Sequence, residues 1–250
     1  QNNRFYMYSR IIVCSLSLII PGLLFAESSD CLVDSEVANL FDRMRVGHQT
    51  TRYAGTVLYE WQKGRQFVSV IWPQEDGRGE LKFLNSHVKA EKAFWPPPFS
   101  KWHDACDLSQ VYSLTVESGG VVSGIATQRL TLRPRDTLRF GHVVDLDPDS
   151  GIPLRALTLD LENKLLERFE FAEITISPLS ASYHDNSDSL ISTSSEIIPG
   201  YFRINDEKEK GILVVGDGFS VASVFVEPLP AGVPLGEGAV LEGATLIYSR

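Results

Sequence analysis

The stretch "DLDPDSGIPLRALTLDLENKLLERFEFAEI", from Asp145 to Ile174, decides how the chain is read. Two of its runs, "PLRALTLDL" and "LLERFEFAEI", alternate apolar with polar residues, and period-two alternation marks a strand with one buried and one wet face. The start, with Asp145, Asp147 and Asp149 at alternate positions, invites comparison with a calcium loop. It fails there: Ser150 stands where the loop needs glycine, and Ala156 where it needs a bidentate Glu. "PDSG" therefore reads as a tight turn joining two strands.

The same alternation extends upstream. Strands are expected at "TRYAGTVLYEW", "QFVSVIW", "GELKFL", "YSLTVE", "ATQRLTLR" and "LRFGHVVDLD", which with the first two runs make eight, joined as an antiparallel meander. Before them, "DSEVANLFDRMRVGH" carries Asp34 or Ser35 as an N-cap, an apolar stripe of Val37, Leu40, Phe41 and Met44, and Gly47 as a stop, so one amphipathic helix is expected. The fold class is mainly β (α+β): a strongly curved sheet, residues 31–178, wrapped on a single helix. A serine-rich linker is expected over 179–196. Beyond it, "IIPGYFRI" and "GILVVGDGFSVASVFVEP" form a smaller β-rich domain over 197–250, with "GDG" supplying a turn tolerant of positive φ. So short a unit, ending at "ATLIYSR" inside an expected strand, reads as incomplete.

The chain has 250 residues, 43% hydrophobic and 22% charged, a globular composition with room for one large or two modest domains. A formal charge of −9 argues against a nucleic-acid partner, which needs clustered Lys and Arg. At the N-terminus, Arg4 and Arg10 precede an uncharged run from Ile11 to Phe25, too short to span a bilayer, which reads as a signal peptide over 1–28 cut near residues 26–28. Export removes Cys14 and leaves Cys31 and Cys106 in an oxidising setting, where a disulfide is expected; two separate thiols are the alternative.

No enzyme signature is present. The histidines His48, His87, His103, His142 and His184 are scattered without ligand spacing, "HDAC" is not a catalytic pair, and neither a nucleophile elbow nor a phosphate-cradling loop occurs. No catalytic residue, metal or cofactor is expected. Two features remain. "KAFWPPPFSKWHD" packs Phe94, Trp95, Phe99 and Trp102 around three prolines, either over a cavity or tucked onto the core. Together with the same-face row Tyr53, Val57, Tyr59 and Trp61, and with Trp72, the residues Trp95 and Trp102 are expected around a concave hydrophobic cavity. Arg129, Arg133, Arg135 and Arg139 form a local basic cluster that either receives anionic groups or a partner, or serves as a solvated strand edge.

The quoted hairpins, "YAGTVLYEW", "IIPGYFRI" and "GDGFSVASVFVEPLP" resemble, in order from about Leu32 to Arg250, the MucB/RseB family of periplasmic regulators of the extracytoplasmic stress sigma factor (the sigma-E/AlgU type). The resemblance implies a half-open antiparallel β-barrel with helical cover, similar to the LolA and LolB lipoprotein carriers, followed by a small domain that helps bind the periplasmic part of a membrane-spanning anti-sigma factor of the RseA/MucA type. On that domain Tyr201, Phe202, Phe219 and Phe225 are the expected partner contacts. The implied role is to protect the anti-sigma factor from regulated proteolysis and to release it on sensing a lipid, lipopolysaccharide or lipoprotein. The alternative is a periplasmic lipid or lipoprotein carrier of the LolA/LolB type.

Overall fold

The computed structural model describes residues 33–73, 79–84, 104–179, 200–207, 212–225, 238–242 and 245–249. The chain divides into residues 1–31 and 32–250. The expected signal segment, Cys31, Trp95, Trp102 and all but the first residue of the expected linker lie outside the described residues.

Helix α1 spans Ser35–Thr50, and Asp34 caps it by accepting a 2.8 Å hydrogen bond from the Glu36 N–H. Its stripe is the expected one: Val37, Leu40, Phe41 and Met44 are all buried. The helix does not stop at Gly47, as expected, but runs on to Thr50. The glycine serves contact instead of termination. A Cβ there would lie 2.6 Å from the Ser150 carbonyl oxygen, so the missing side chain lets the helix sit on the "PDSG" turn. Within that turn Gly151, at φ +73°, would drive a Cβ into the backbone of Arg43.

Strands β1 (Thr51–Trp61), β2 (Gly64–Trp72) and β3 (Glu80–Phe83) follow. A five-residue helix α2 (Ala105–Ser109) comes next, its N-cap Asp104 accepting from the N–H groups of Cys106 and Asp107. Then come β4 (Tyr112–Val122), β5 (Ile125–Pro134), β6 (Gly141–Leu146), β7 (Pro153–Leu159) and β8 (Leu165–Pro178). All eight expected strands exist, but they do not form one meander. The order is β3-β2-β1-β8-β7-β6-β5-β4, with β1 paired antiparallel to β8. Two meanders are thus zipped along β1 and β8, and the consecutive strands β3 and β4 become the two edges of a sheet that is not closed. Alternation reveals faces, not partners, which is why the register of β1 with β8 was hidden.

The face toward α1 carries two apolar clusters. One gathers the helix stripe with Leu130, Leu132, Val144 and Leu146 from β5 and β6. The other gathers Tyr53, Val57, Val68, Val70 and Phe171 with Val122 from the tip of the β4–β5 hairpin. That tip also donates, through Ser123 Oγ, to the carbonyl of Phe171 on β8. Residues from the edge hairpin and from β2 share one cluster, so the sheet is strongly curled.

A second, three-stranded sheet has the order β11-β10-β9, with β9 Phe202–Glu207, β10 Ile212–Gly216 and β11 Val221–Phe225. Strands β12 (Gly238–Glu242) and β13 (Thr245–Ser249) pair as a hairpin.

Candidate interaction surfaces

Along β1, burial fades from one end to the other. Tyr53 is fully enclosed, its hydroxyl 3.0 Å from His48 Nδ1, and Trp72 on β2 donates its Nε1–H to the His48 carbonyl at 2.8 Å. Tyr53, Val57 and Trp72 are therefore packed core under the helix end. Further along, Tyr59 and Trp61 stack at 5.3 Å and stay half-exposed, near the half-buried Phe83 and Phe169 of the same cluster. Among the described residues this aromatic end is only partly covered. The Tyr59 hydroxyl donates to Glu167 at 2.9 Å, and burial with that carboxylate nearby holds the phenol well above its ordinary range.

The four arginines do not act as one cluster. Arg129 makes a two-pronged contact with Asp145, Nε at 2.7 Å and Nη2 at 3.2 Å. Arg133 points to solvent, and Arg135 donates to the carbonyls of Ser109 and Tyr112. Arg139 is buried and paired with Asp136 at 3.0 Å. Strand alternation separates them: Arg129 and Arg133 lie on a strand face, Arg135 and Arg139 in the bend after it.

Arg129 belongs to a ladder of alternating charge crossing five strands in register, from Glu117 to Arg129, Asp145, Arg155 and Glu170. Asp145 is fully buried between two guanidinium groups, with Arg155 Nε at 2.6 Å. The β4 bulge closes the cage, because the Gly119 carbonyl accepts from both Arg129 and Arg155. A Cβ on Gly119 would strike Asp145 Oδ1 at 2.6 Å. The hydrogen bond to Asp145 holds the Arg129 guanidinium above its usual range. Beside the ladder lies a groove of about 420 Å³, lined by Thr131, Arg133, Val143, Leu159 and Asn163 among others. Asp145 is thus not on a wet face, whereas Asp147 keeps to its own turn, accepting from the N–H groups of Asp149 and Ser150.

The third surface is the joint between the two sheets. In the β10–β11 turn, Asp217 Oδ1 accepts from the N–H groups of Phe219 at 2.9 Å and Ser220 at 2.7 Å. Its other oxygen crosses to the large sheet, accepting from the Tyr112 hydroxyl at 2.6 Å and lying 3.5 Å from Arg139 Nη1. The Arg139 guanidinium sits over the Tyr201 ring at 4.9 Å and the Tyr112 ring at 5.7 Å. Tyr201 donates to the Leu138 carbonyl at 3.1 Å, and His142 Nε2 lies 3.2 Å from Ser220 Oγ. Phe219 packs on the helix cluster, beside the Tyr112 and His142 rings. Tyr201 and Phe219 therefore face the large sheet; Phe202 is half-buried on β9, and the side chain of Phe225 lies outside the described residues. Burial pushes His142 down to about 4, against the opposing pull of Asp217. Tyr201 is pushed up to about 12 by burial and by Asp217. The serine-rich segment is not the sole tie between the sheets.

Cys106 is disulfide-bonded, and its expected partner Cys31 falls outside the described residues. Among the described residues no helix is long and apolar enough to cross a membrane.

Known proteins match both sheets. The MucB/RseB N-terminal domain matches residues 84–194. The Pseudomonas aeruginosa protein described as sigma factor AlgU regulatory protein MucB is 27% identical over 97% of this chain and 87% of its own length. The structure of the Pseudomonas aeruginosa MucA/MucB complex superposes with a TM-score of 0.64 at 23% identity, covering 86% of this chain and 88% of that one. MucB crystallised with MucA(peri) gives 0.62 at 24% identity over 87% and 88%. The chain is thus similar to the MucB/RseB N-terminal domain over residues 84–194 and to MucB over nearly its whole length, and it shares the fold of the MucB structures.

Proposed function

We propose that this chain is a periplasmic negative regulator of a sigma-E/AlgU-type envelope stress response. It binds the periplasmic domain of a membrane-spanning anti-sigma factor of the RseA/MucA type and protects it from regulated proteolysis. It acts by binding, not catalysis, and lets go when a lipid or lipoprotein occupies it. The observation that carries this reading is the alignment with MucB across 97% of the chain, which includes the second sheet. A carrier built on the half-barrel has no need of that sheet, whereas here it is fixed to the large one by a buried ionic joint. The half-exposed aromatic end at Tyr59, Trp61, Phe83 and Phe169 supports an acyl chain or lipopeptide as the signal. We read residues 1–28 as a cleaved signal, 31–178 as the half-barrel, 179–196 as linker and 197–250 as the small domain, with Cys31 bonded to Cys106.

The test is titration calorimetry of the mature chain against the periplasmic domain of a MucA-type anti-sigma factor, with cleavage of that domain by its protease followed in parallel. Saturable binding and slowed cleavage are expected; a silent titration with unprotected cleavage removes the proposal.

A further inference from the structure

The joint between the sheets is mixed: Phe219 packs on the helix cluster, and beside it polar and charged side chains meet. A core would meet the β10–β11 turn with aliphatic side chains. Instead the large sheet offers Arg139, the Tyr112 hydroxyl and His142, and the small sheet presents the Asp217 carboxylate, the Tyr201 ring over the arginine and the Ser220 hydroxyl. Asp217 and Arg139 are both fully enclosed at the side chain. Desolvating such a pair costs several kcal/mol that their attraction does not reliably return, so the joint gives definition of position more than net stability. An interface of this kind has one bound geometry and little to hold it in any other.

The two oxygens of Asp217 have separate duties. Oδ1 shapes the turn by accepting from Phe219 and Ser220, and Oδ2 faces Tyr112 and Arg139 across the joint. Arg139 keeps Asp136 as a partner on its own side, so its charge is not stranded when the turn leaves. Tyr112 heads β4, Leu138 and Arg139 lie in the bend before β6, and His142 follows in β6; none belongs to the inner aromatic end where a ligand would enter. The faces that β11 turns outward carry Val221, 61% exposed, and Val224, 46% exposed. Where those side chains point is set by how the Asp217 turn is seated.

We infer that the Asp217 carboxylate is the bolt of a latch whose socket is Tyr112 and Arg139, and that its seating positions the small sheet for partner binding. The second half of this inference rests on the function proposed above; the first half does not. Release of the bolt frees the small sheet as a folded unit while the large sheet keeps its own core.

Asp217→Asn separates the two duties. The amide oxygen still accepts from Phe219 and Ser220, while an NH2 group replaces the oxygen facing the arginine and the tyrosine hydroxyl. Tyr112→Phe is the gentler variant and removes only one hydroxyl. Amide hydrogen exchange on the full chain reads the result. Exchange at Phe219 and Ser220 is expected to speed up about a hundredfold in the first variant and about tenfold in the second, with the amides of Leu130 and Val144 unchanged. Exchange within about twofold of the parent in both variants overturns the latch. So does equal acceleration at Leu130 and Val144, because the joint would then be part of one cooperative core. In a second arm the variants are titrated with the periplasmic domain of a MucA-type anti-sigma factor. Binding weakened about tenfold supports the positioning role, and unchanged affinity with a loosened joint overturns it. A parent chain that fails to bind sinks the proposed function, and the exchange arm alone then decides the latch.

Discussion

Replacing Asp145 by Asn tests whether the charge ladder is held by burial or merely decorates a surface. The carboxylate is fully buried and takes Arg129 Nε at 2.7 Å and Arg155 Nε at 2.6 Å. Removing one member of a buried pair typically costs about 3–5 kcal/mol, because the remaining charge is left without compensation. Here the two arginine side chains are 27% and 20% exposed, so water recovers part of that loss. About 3 kcal/mol is the expected cost, or roughly 6–12 °C in Tm for a chain of this size. At the outer end of the same ladder Glu117 is 63% exposed and lies 3.8 Å from Arg129. Glu117→Gln should cost no more than about 0.5 kcal/mol, as exposed pairs do. Denaturant unfolding followed by near-ultraviolet circular dichroism gives both values. If Asp145→Asn costs under about 1 kcal/mol, or no more than Glu117→Gln, the burial argument is refuted.

Other predictions follow from close contact, burial and the open aromatic end. Gly151→Ala forces a Cβ against the Arg43 backbone at a positive φ, so α1 must lift from the β6–β7 turn; a loss of about 2–4 kcal/mol is expected by thermal unfolding, and an unchanged midpoint contradicts the packing. His48, which meets Tyr53 and Trp72, is pushed down by burial to about 3, and His142, which meets Asp217, Tyr112, Phe219 and Ser220, to about 4. Both are neutral when folded and take up a proton when unfolded below about pH 6.5, so stability is full above that pH and falls below it by about 1.4 kcal/mol per unit for each histidine. Midpoints measured from pH 7.5 to 5 should show that slope, and His142→Gln should remove about half of it; a flat parental profile contradicts the assigned burial. Trp61 stacks on Tyr59 at the half-open end, so a lyso-phospholipid should change tryptophan emission saturably in the parent and much less in Trp61→Phe. Unchanged parental emission removes the acyl site.

Much of the fold was legible because it is periodic. The helix stripe and all eight strands follow from spacing, as does the turn at "PDSG". What stayed hidden was pairing. The zipping of β1 to β8 joins strands with over a hundred residues between them, and alternation is blind to partners. The Asp145 cage was partly within reach: a hairpin centred on Ser150 sets Asp145 opposite Arg155, and the structure pairs them. The burial of Asp145 was not legible, since a buried aspartate is spelled like an exposed one. Arg139 and Asp217 offered no signal, because seventy-odd residues and a change of sheet separate them. Gly47 misled for a physical reason: it looks like a helix stop, but here it marks a close backbone approach.

The most direct test of the central claim measures how fast the regulatory protease cleaves the periplasmic domain of a MucA-type anti-sigma factor, with and without the mature chain at equal concentration. The account predicts cleavage suppressed at least tenfold by a complex of about micromolar Kd or tighter, with cleavage restored when a lipopeptide or acyl-chain ligand is added. Cleavage at the same rate with and without the chain, at concentrations to about 100 μM, would contradict it.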